Sequence, residues 1–317
     1  MSVTTKATIA SFGGKLLKLS HNATTTRCEM NFNLYLPSQA SAGQKVPLLI
    51  YLSGLTCTAE NCSEKGFFQH GASKANIAVL YPDTSPRMSS LLCIALEEPT
   101  MLAEKDTDNI YPGGLNVEGE NDAYDFGTGA GFYVDATKPP YNVGYNMYSY
   151  ISEELPQTVF AAFPQIDSSN VSITGHSMGG HGALTLYLRN PGKYKSVSAF
   201  APISNPINCP WGQKAFTGYF GEDQQQKWKE HDATELLKNY SGEKDKLKIL
   251  IDVGTGDNFY KQGQLLPENF EKVAKEVGLT GDNFTIRYQA DYDHSYYFMS
   301  SFADDHIAHA AEALGVK

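Results

Sequence analysis

Five residues, Gly175-His-Ser-Met-Gly179, limit the folds open to this chain most severely. They follow an apolar run, residues 171–174, and precede a helix-like segment, residues 180–189. A serine between glycines at a strand-to-helix turn is the pattern of a nucleophile elbow, whose strained backbone presents the serine above the sheet. Positions 175 and 179 are glycines because the turn brings backbone segments close together there and leaves no room for a side chain. We predict that Ser177 is a catalytic nucleophile; the alternative is a glycine-rich turn without chemistry.

Short apolar runs alternate with helix-like segments along much of the chain. The runs cover residues 46–52, 77–81, 171–174, 197–201 and 247–253, and the helix-like segments include 145–162, 180–189 and 267–277. Continuous apolar strands are typical of a parallel sheet covered on both faces by helices. Residues 31–36 alternate polar and apolar types and predict a half-buried strand. Together with the serine motif, this alternation predicts the α/β-hydrolase fold, with a mostly parallel central sheet flanked by helices on both faces.

The chain has 317 residues, a length that suits one large domain. Because no repeat and no linker rich in proline, glycine or serine divides it, we expect a single domain over residues 1–317. Residues 88–113 fit poorly, since this segment is helix-like at its start and polar at its end. A surface excursion or a lid would explain such an insert.

Charge and composition exclude several classes of partner. A formal net charge of −10 argues against binding to nucleic acid or to an anionic membrane surface. No apolar stretch approaches the roughly 18 residues of a membrane span, and the first residues lack the apolar core of a secretory signal. The five cysteines are irregularly spaced, which indicates free thiols in a reducing compartment. We expect a cytoplasmic protein that acts on a small molecule.

A serine nucleophile needs a histidine base and a carboxylate that orients it, in this fold in the chain order Ser, acid, His. His294 follows the strand-like residues 284–289 through a short loop, which is where the base belongs. His231 lies in a charged segment and is expected at the surface. His306 and His309 are three residues apart in a helix-like stretch, but no third ligand stands at metal-binding spacing. We expect a solvated helix face there.

Two aspartates compete for the role of the acid. Asp252 lies inside an apolar run, whereas Asp257 lies in the glycine-rich loop beyond it. We predict Asp257, because a residue in that loop can reach the base. Asp291 and Asp293 are too close to His294 in sequence to orient its ring as the triad acid, but either could support the site through another residue.

An oxyanion hole requires two backbone N–H donors. One is predicted at Met178, directly after the nucleophile, and the other in the loop that follows an early strand. That loop contains Ser53-Gly-Leu55 after residues 46–52, which assigns the second donor to Leu55. Without its position, the tripeptide would be an ordinary turn. The chemistry needs no metal and no organic cofactor.

Seven segments, spread over nearly the whole chain, form a more specific pattern. They are Leu52-Ser-Gly-Leu-Thr-Cys-Thr58, Pro82-Asp-Thr-Ser-Pro-Arg87, Tyr124-Asp-Phe-Gly-Thr-Gly-Ala-Gly-Phe-Tyr133, Gly175-His-Ser-Met-Gly-Gly-His-Gly-Ala183, Lys193-Tyr-Lys-Ser-Val-Ser-Ala-Phe-Ala-Pro202, Pro210-Trp-Gly-Gln-Lys-Ala-Phe216 and Tyr292-Asp-His-Ser-Tyr-Tyr-Phe298. In these segments the chain resembles the S-formylglutathione hydrolase family, also called esterase D.

The resemblance implies hydrolysis of S-formylglutathione to formate and glutathione, a step in formaldehyde removal, with side activity on small acyl esters. It also implies a cytoplasmic homodimer, and it assigns the triad and the oxyanion donors to the residues predicted above. In this family a thiol at the position of Cys57 lies near the acyl site, which makes it a candidate for inhibition by oxidants or thiol reagents. The alternative is an inert core cysteine.

The chain departs from the family at residues 88–113, where relatives have a short loop that resumes here at Gly114. Translated intron sequence is a third explanation for this insert. Other functions also remain open: a general carboxylesterase, an acyltransferase of related fold, or a binding protein without catalysis.

Overall fold

The computed structural model describes residues 2–87 and 115–316, and a nine-stranded sheet runs through them. The strands are β1 (Thr4–Ser11), β2 (Gly14–Ala23), β3 (Cys28–Leu36), β4 (Val46–Leu52), β5 (Ala78–Pro82), β6 (Ile166–His176), β7 (Val197–Phe200), β8 (Ile249–Gly254) and β9 (Phe284–Gln289). Their order across the sheet is β1-β2-β3-β5-β4-β6-β7-β8-β9. The predicted insert at residues 88–113 lies outside the described residues.

The sheet is parallel from β5 through β4 to β9 and antiparallel at its other end. Neighbours among β4 to β9 pair in parallel, whereas β1, β2 and β3 pair antiparallel and β3 pairs antiparallel with β5. This confirms the predicted α/β fold with a mostly parallel central sheet.

Most of the helices lie between the parallel strands in sequence. The helices are α1 (Ser38–Ser41), α2 (Ala59–Lys65), α3 (Phe68–Lys74), α4 (Met147–Ser149), α5 (Leu155–Ala162), α6 (Met178–Arg189), α7 (Pro210–Tyr219), α8 (Gln225–Lys229), α9 (Ala233–Lys238), α10 (Asn258–Lys261), α11 (Pro267–Glu276), α12 (Tyr296–Ser301) and α13 (Ala303–Leu314). Helix α1 lies between β3 and β4, and α12 and α13 follow β9. A π-helical segment, Tyr150–Glu154, separates α4 from α5 and interrupts the helix predicted over residues 145–162. None of the helices in residues 2–87 and 115–316 has the length and apolarity of a membrane span.

The central strands are buried on both faces. Every residue of β4, β5, β7 and β8 is buried. Since successive side chains of a strand point to opposite faces, both faces of the sheet are covered at its centre. Helices α6 and α13 both pack on β6 and β7. The apolar runs in the sequence are therefore strands covered on both faces, as predicted.

The carboxyl ends of the parallel strands lie at one edge of the sheet. Leu52 at the end of β4 is level with Gly175 near the end of β6, and Gly254 at the end of β8 is level with Gln289 at the end of β9. Ligand sites of open α/β sheets form at this edge. The loops that carry the predicted site residues therefore start side by side.

Candidate active site

Ser177 occupies a strained turn between β6 and α6. Its backbone has φ 56° and ψ −122°, a region that costs an L-residue about 1–3 kcal/mol. The Ser177 N–H donates a hydrogen bond of 2.9 Å to the carbonyl oxygen of Phe200 on β7. A strained backbone at one residue between a strand and a buried helix is the geometry of a nucleophile elbow.

The glycines of the motif are required by close backbone contacts. A Cβ at Gly175 would overlap the carbonyl oxygen of Gly179, and a Cβ at Gly179 would overlap the carbonyl oxygen of Leu52. The elbow is thus pressed against the end of β4, where the predicted oxyanion loop begins. Close backbone contacts therefore explain both glycines, as predicted from the sequence.

Asp257 and His294 form a direct ion pair or hydrogen bond. Asp257 Oδ2 lies 2.5 Å from His294 Nδ1, and the Asp257 side chain is fully buried. The other carboxylate oxygen accepts hydrogen bonds from the N–H groups of Phe259 at 2.7 Å and Tyr260 at 3.3 Å. These bonds cap α10 and hold the carboxylate still. Asp257 can therefore fix the ring orientation of His294.

Ser177 and His294 line the same cavity, which has a volume of about 280 Å³. No hydrogen bond joins these two side chains in the described part of the chain. Nucleophile and base are commonly further apart before substrate binds. The cavity is mostly apolar, and its further lining residues are Gly54, Leu55, Thr56, Cys57, Tyr124, His176, Trp211, Phe259, Tyr296 and Met299.

Asp252, the competing acid, is hydrogen-bonded to side chains other than His294. Arg287 donates two hydrogen bonds to it, at 2.8 and 2.5 Å, and Gln289 donates a third at 2.9 Å. His306 Nε2 lies 2.9 Å from its Oδ2. Although burial raises the pKa of Asp252, the hydrogen bonds from His306 and Arg287 outweigh it and lower the pKa to about 2. The structure brings Asp257, and not Asp252, to His294.

Two histidines expected at the surface are buried, so those predictions are wrong. His306 is fully buried against Asp252 and Phe200. His231 is also buried, and Arg189 Nη1 lies 2.8 Å from its Nε2. His309 is half-buried, with Nε2 3.1 Å from a strand carbonyl oxygen. Their charged neighbours in sequence favoured a position at the surface, but the imidazole of His306 lies against Asp252 and that of His231 against Arg189.

Hydrogen bonds to residues distant in sequence hold the loop after β4, residues 53–57. They join Ser53 O to Tyr133 Oη at 2.9 Å, Gly54 N to His176 Nε2 at 3.1 Å, Thr56 N to Gly129 O at 2.7 Å and Cys57 O to Thr84 Oγ1 at 2.5 Å. Within the described ranges, the Leu55 N–H donates to no carbonyl, and neither does the Met178 N–H at the start of α6. Leu55 lines the same cavity as Ser177, and Met178 follows Ser177 directly, so both N–H groups are candidates for an oxyanion hole.

Cys57 lies at the wall of this cavity. Its Sγ is 3.9 Å from His176 Nε2 and 3.8 Å from Tyr296 Oη. Burial raises the pKa of the Cys57 thiol, so the protonated form is favoured at neutral pH. Its predicted susceptibility to thiol reagents stays a prediction.

Sequence reasoning missed the aromatic walls of the cavity. Phe259 packs its ring edge-on against His294, with centroids 4.9 Å apart, and Trp211 packs on Phe259 at 4.7 Å. Tyr124 belongs to the same wall, and its hydroxyl oxygen lies 3.4 Å from the Trp211 indole nitrogen. Trp211 and Tyr124 belong to segments that carried the family resemblance, and Phe259 lies two residues after Asp257. Proximity to these motifs was the available signal.

Comparisons with known proteins find an esterase family and S-formylglutathione hydrolases. The Esterase family model matches residues 23–91 and 98–309. S-formylglutathione hydrolase of Rattus norvegicus is 49% identical over 303 residues, covering 96% of this chain and 95% of the relative. The enzyme of the same name from Arabidopsis thaliana is 48% identical over the same shares. A solved S-formylglutathione hydrolase from Agrobacterium tumefaciens is 39% identical, has a TM-score of 0.82, and covers 99% of this chain and 100% of its own.

Proposed function

The chain belongs to the Esterase family and, within it, to the S-formylglutathione hydrolases, and on that premise we propose that Ser177, His294 and Asp257 hydrolyse S-formylglutathione to formate and glutathione. The observation that supports the triad is the 2.5 Å contact between Asp257 and His294, because His294 lines one cavity together with the strained Ser177. The relatives named S-formylglutathione hydrolase support the substrate. The chain is a hydrolase, and a small molecule is its substrate.

In the first step, His294 accepts the proton of Ser177 as the serine oxygen attacks the formyl carbonyl carbon. Asp257 holds Nδ1–H of the imidazole, so that Nε2 is the basic nitrogen, and it stabilises the imidazolium that forms. The N–H groups of Leu55 and Met178 stabilise the oxyanion. Each such donor contributes about 3 kcal/mol to lowering the barrier.

Collapse of the tetrahedral intermediate breaks the carbon–sulfur bond and releases glutathione. A thiolate leaves readily, since thiols have an ordinary pKa of about 8.5, and it then takes the proton held by the His294 imidazolium. The imidazole is neutral again for the next step. Water, deprotonated by His294, then attacks the formyl-enzyme and releases formate. The small apolar cavity suits a short acyl group, with the peptide portion of the substrate outside it.

The competing function is a general small-acyl carboxylesterase, which the apolar cavity wall favours. The deciding experiment measures kcat/KM of the purified protein for S-formylglutathione and for 4-nitrophenyl acetate. We expect a clear preference for the thioester; a strong preference for the acetate would make the protein a carboxylesterase. With both substrates, Ser177→Ala should lower kcat by about 10⁶-fold. A fluorophosphonate should label the parent protein and not this variant, and such labelling excludes a binding protein without catalysis.

We further propose a single domain over residues 1–317 that works as a cytoplasmic homodimer. The continuous sheet from β1 to β9 supports one domain, and the family resemblance supports the dimer and the location. Light scattering on the purified protein measures the oligomeric state, and a monomeric mass at working concentration contradicts the dimer.

A further inference from the structure

His176, the residue before the nucleophile, is buried and uses both ring nitrogens. Its Nε2 lies 3.1 Å from the backbone nitrogen of Gly54. Its Nδ1 lies 3.0 Å from the hydroxyl of Tyr51 on β4. The imidazole thus connects the end of β6, which carries Ser177, to both the strand and the loop of the oxyanion hole.

These contacts determine the tautomer of His176. A backbone N–H can only donate, so Nε2 accepts from Gly54 and the single proton of the neutral ring is on Nδ1, toward Tyr51. Burial, together with the nearby His294, lowers the pKa of His176 to about 3. The ring is therefore neutral throughout the working range of a hydrolase that uses a neutral histidine base.

The direction of the Leu55 N–H follows from the hydrogen bonds of Gly54. The Gly54 carbonyl oxygen accepts a hydrogen bond of 3.3 Å from the Cys57 N–H. In a trans peptide the N–H points opposite to the carbonyl, so the Leu55 N–H points away from this turn. A Cβ at Gly54 would lie 2.8 Å from His176 Nε2 and 3.0 Å from Ser177 Cβ. The Cα of Gly54, from which the 54–55 peptide starts, thus faces His176 and Ser177 too closely for a side chain.

We propose that His176 is a positioning residue that aims the Leu55 N–H at the developing oxyanion by accepting the Gly54 N–H. The inference rests on the proposed serine mechanism and deepens it. Without the acceptor, the Gly54 N–H of the 53–54 peptide is buried and unpaired. A rotation at Gly54 that pairs it again also turns the adjoining 54–55 peptide and moves the Leu55 N–H away from Ser177.

The test compares four variants for kcat, KM and the inhibition constant of a boronic acid that forms a tetrahedral adduct with the serine. His176→Phe removes the acceptor, and His176→Gln restores one through its amide oxygen. Tyr51→Phe removes only the partner of Nδ1. Tyr81→Phe is the matched control, because the Tyr81 hydroxyl is buried, near Tyr51, and has no hydrogen-bond partner in the described residues.

Loss of one oxyanion donor costs about 10²–10³ in kcat, so a displaced donor should cost about 10–100-fold in His176→Phe. We expect a matching loss of boronate affinity, a nearly unchanged KM, substantial recovery in His176→Gln, and a smaller loss in Tyr51→Phe. Equal kcat and boronate affinity in His176→Phe and the parent overturn the proposal. If His176→Phe does not fold, a Tyr51→Phe variant as active as Tyr81→Phe overturns it.

Both 4-nitrophenyl acetate and S-formylglutathione serve as substrates in these assays. Failure of the parent protein on the thioester alone contradicts the proposed substrate and leaves the positioning role measurable with the ester. Failure of the boronate to inhibit the parent on either substrate contradicts the serine mechanism and the positioning role together.

Discussion

His306 lies flat on Phe200, with ring centroids 3.6 Å apart and planes 14° from parallel. The same histidine contacts Asp252 through Nε2, and the carbonyl oxygen of Phe200 accepts the Ser177 N–H. The pair therefore joins helix α13 to the strand that supports the nucleophile. None of its groups lines the catalytic cavity, so its contribution is to stability.

Replacing His306 by alanine should lower the free energy of unfolding by about 1–3 kcal/mol, because Asp252 loses one of its buried hydrogen-bond partners. Urea denaturation followed by circular dichroism measures this change. The kcat of the remaining folded protein should stay close to the parent value. His70→Ala is the control, since His70 is partly exposed and pairs with the exposed Asp304. Equal midpoints for the two variants would contradict a structural role for His306.

Asp257→Asn and Asp252→Asn should have opposite profiles. Asparagine at 257 still caps α10 but favours the wrong tautomer of His294, so kcat should fall by about 10⁴-fold with little change in stability. Asparagine at 252 leaves the Arg287 charge without its buried partner, so stability falls while kcat is largely kept. Steady-state kinetics and thermal denaturation of both variants test this. Similar kcat losses in the two variants would remove the reason for choosing Asp257.

Stability should fall as the solution is acidified. Burial lowers the pKa of His176 to about 3, and those of His181 and His309 to about 4. In the unfolded chain these histidines take up protons near pH 6.5, as ordinary imidazoles do. Between about pH 6.5 and pH 4 the unfolded state therefore binds more protons, and the free energy of unfolding decreases as pH falls.

The slope is at most about 1.4 kcal/mol per pH unit for each histidine. Urea denaturation at a series of pH values measures it, and His309→Gln should make the curve shallower because one titrating group is gone. A free energy of unfolding that stays constant between about pH 7 and pH 5 would rule out this linkage.

Alkylation of Cys57 should inhibit the enzyme slowly at neutral pH. The thiolate is the reactive form, and burial raises the pKa of this thiol, so the rate should increase as pH rises. Inactivation by iodoacetamide, followed with 4-nitrophenyl acetate, measures that rate. Cys57→Ala should keep measurable activity that the reagent no longer reduces. Cys28→Ala, which changes a cysteine away from the cavity, should remain sensitive; equal sensitivity of both variants would move the reactive thiol elsewhere.

The parallel half of the fold was predictable because its strands have a strong local signal. Residues 46–52 and 284–289 were predicted as strands with the observed bounds. The hairpin of β1 and β2 was not predicted. Strand β1 is exposed along most of its length, so its residues show neither a continuous apolar run nor a regular alternation.

The site was predictable where chain order and chemistry limit the choice. Ser177, Asp257 and His294 follow from the order of the triad, and the structure brings the aspartate and the histidine together. The role of His176 could not be derived in this way. A histidine beside a nucleophile has no pattern of its own, and its contact with Gly54 depends on the register between β4 and β6.

The sheet edge that gathers these loops also sets when the protein can become active. Leu55, Ser177, Asp257 and His294 each follow a different strand, and they are spread over most of the chain. During synthesis Ser177 is made long before His294, so a chain that ends at β7 lacks the base of the proposed triad. Labelling of Ser177 should therefore report chains that extend past β9 and His294 rather than shorter nascent ones.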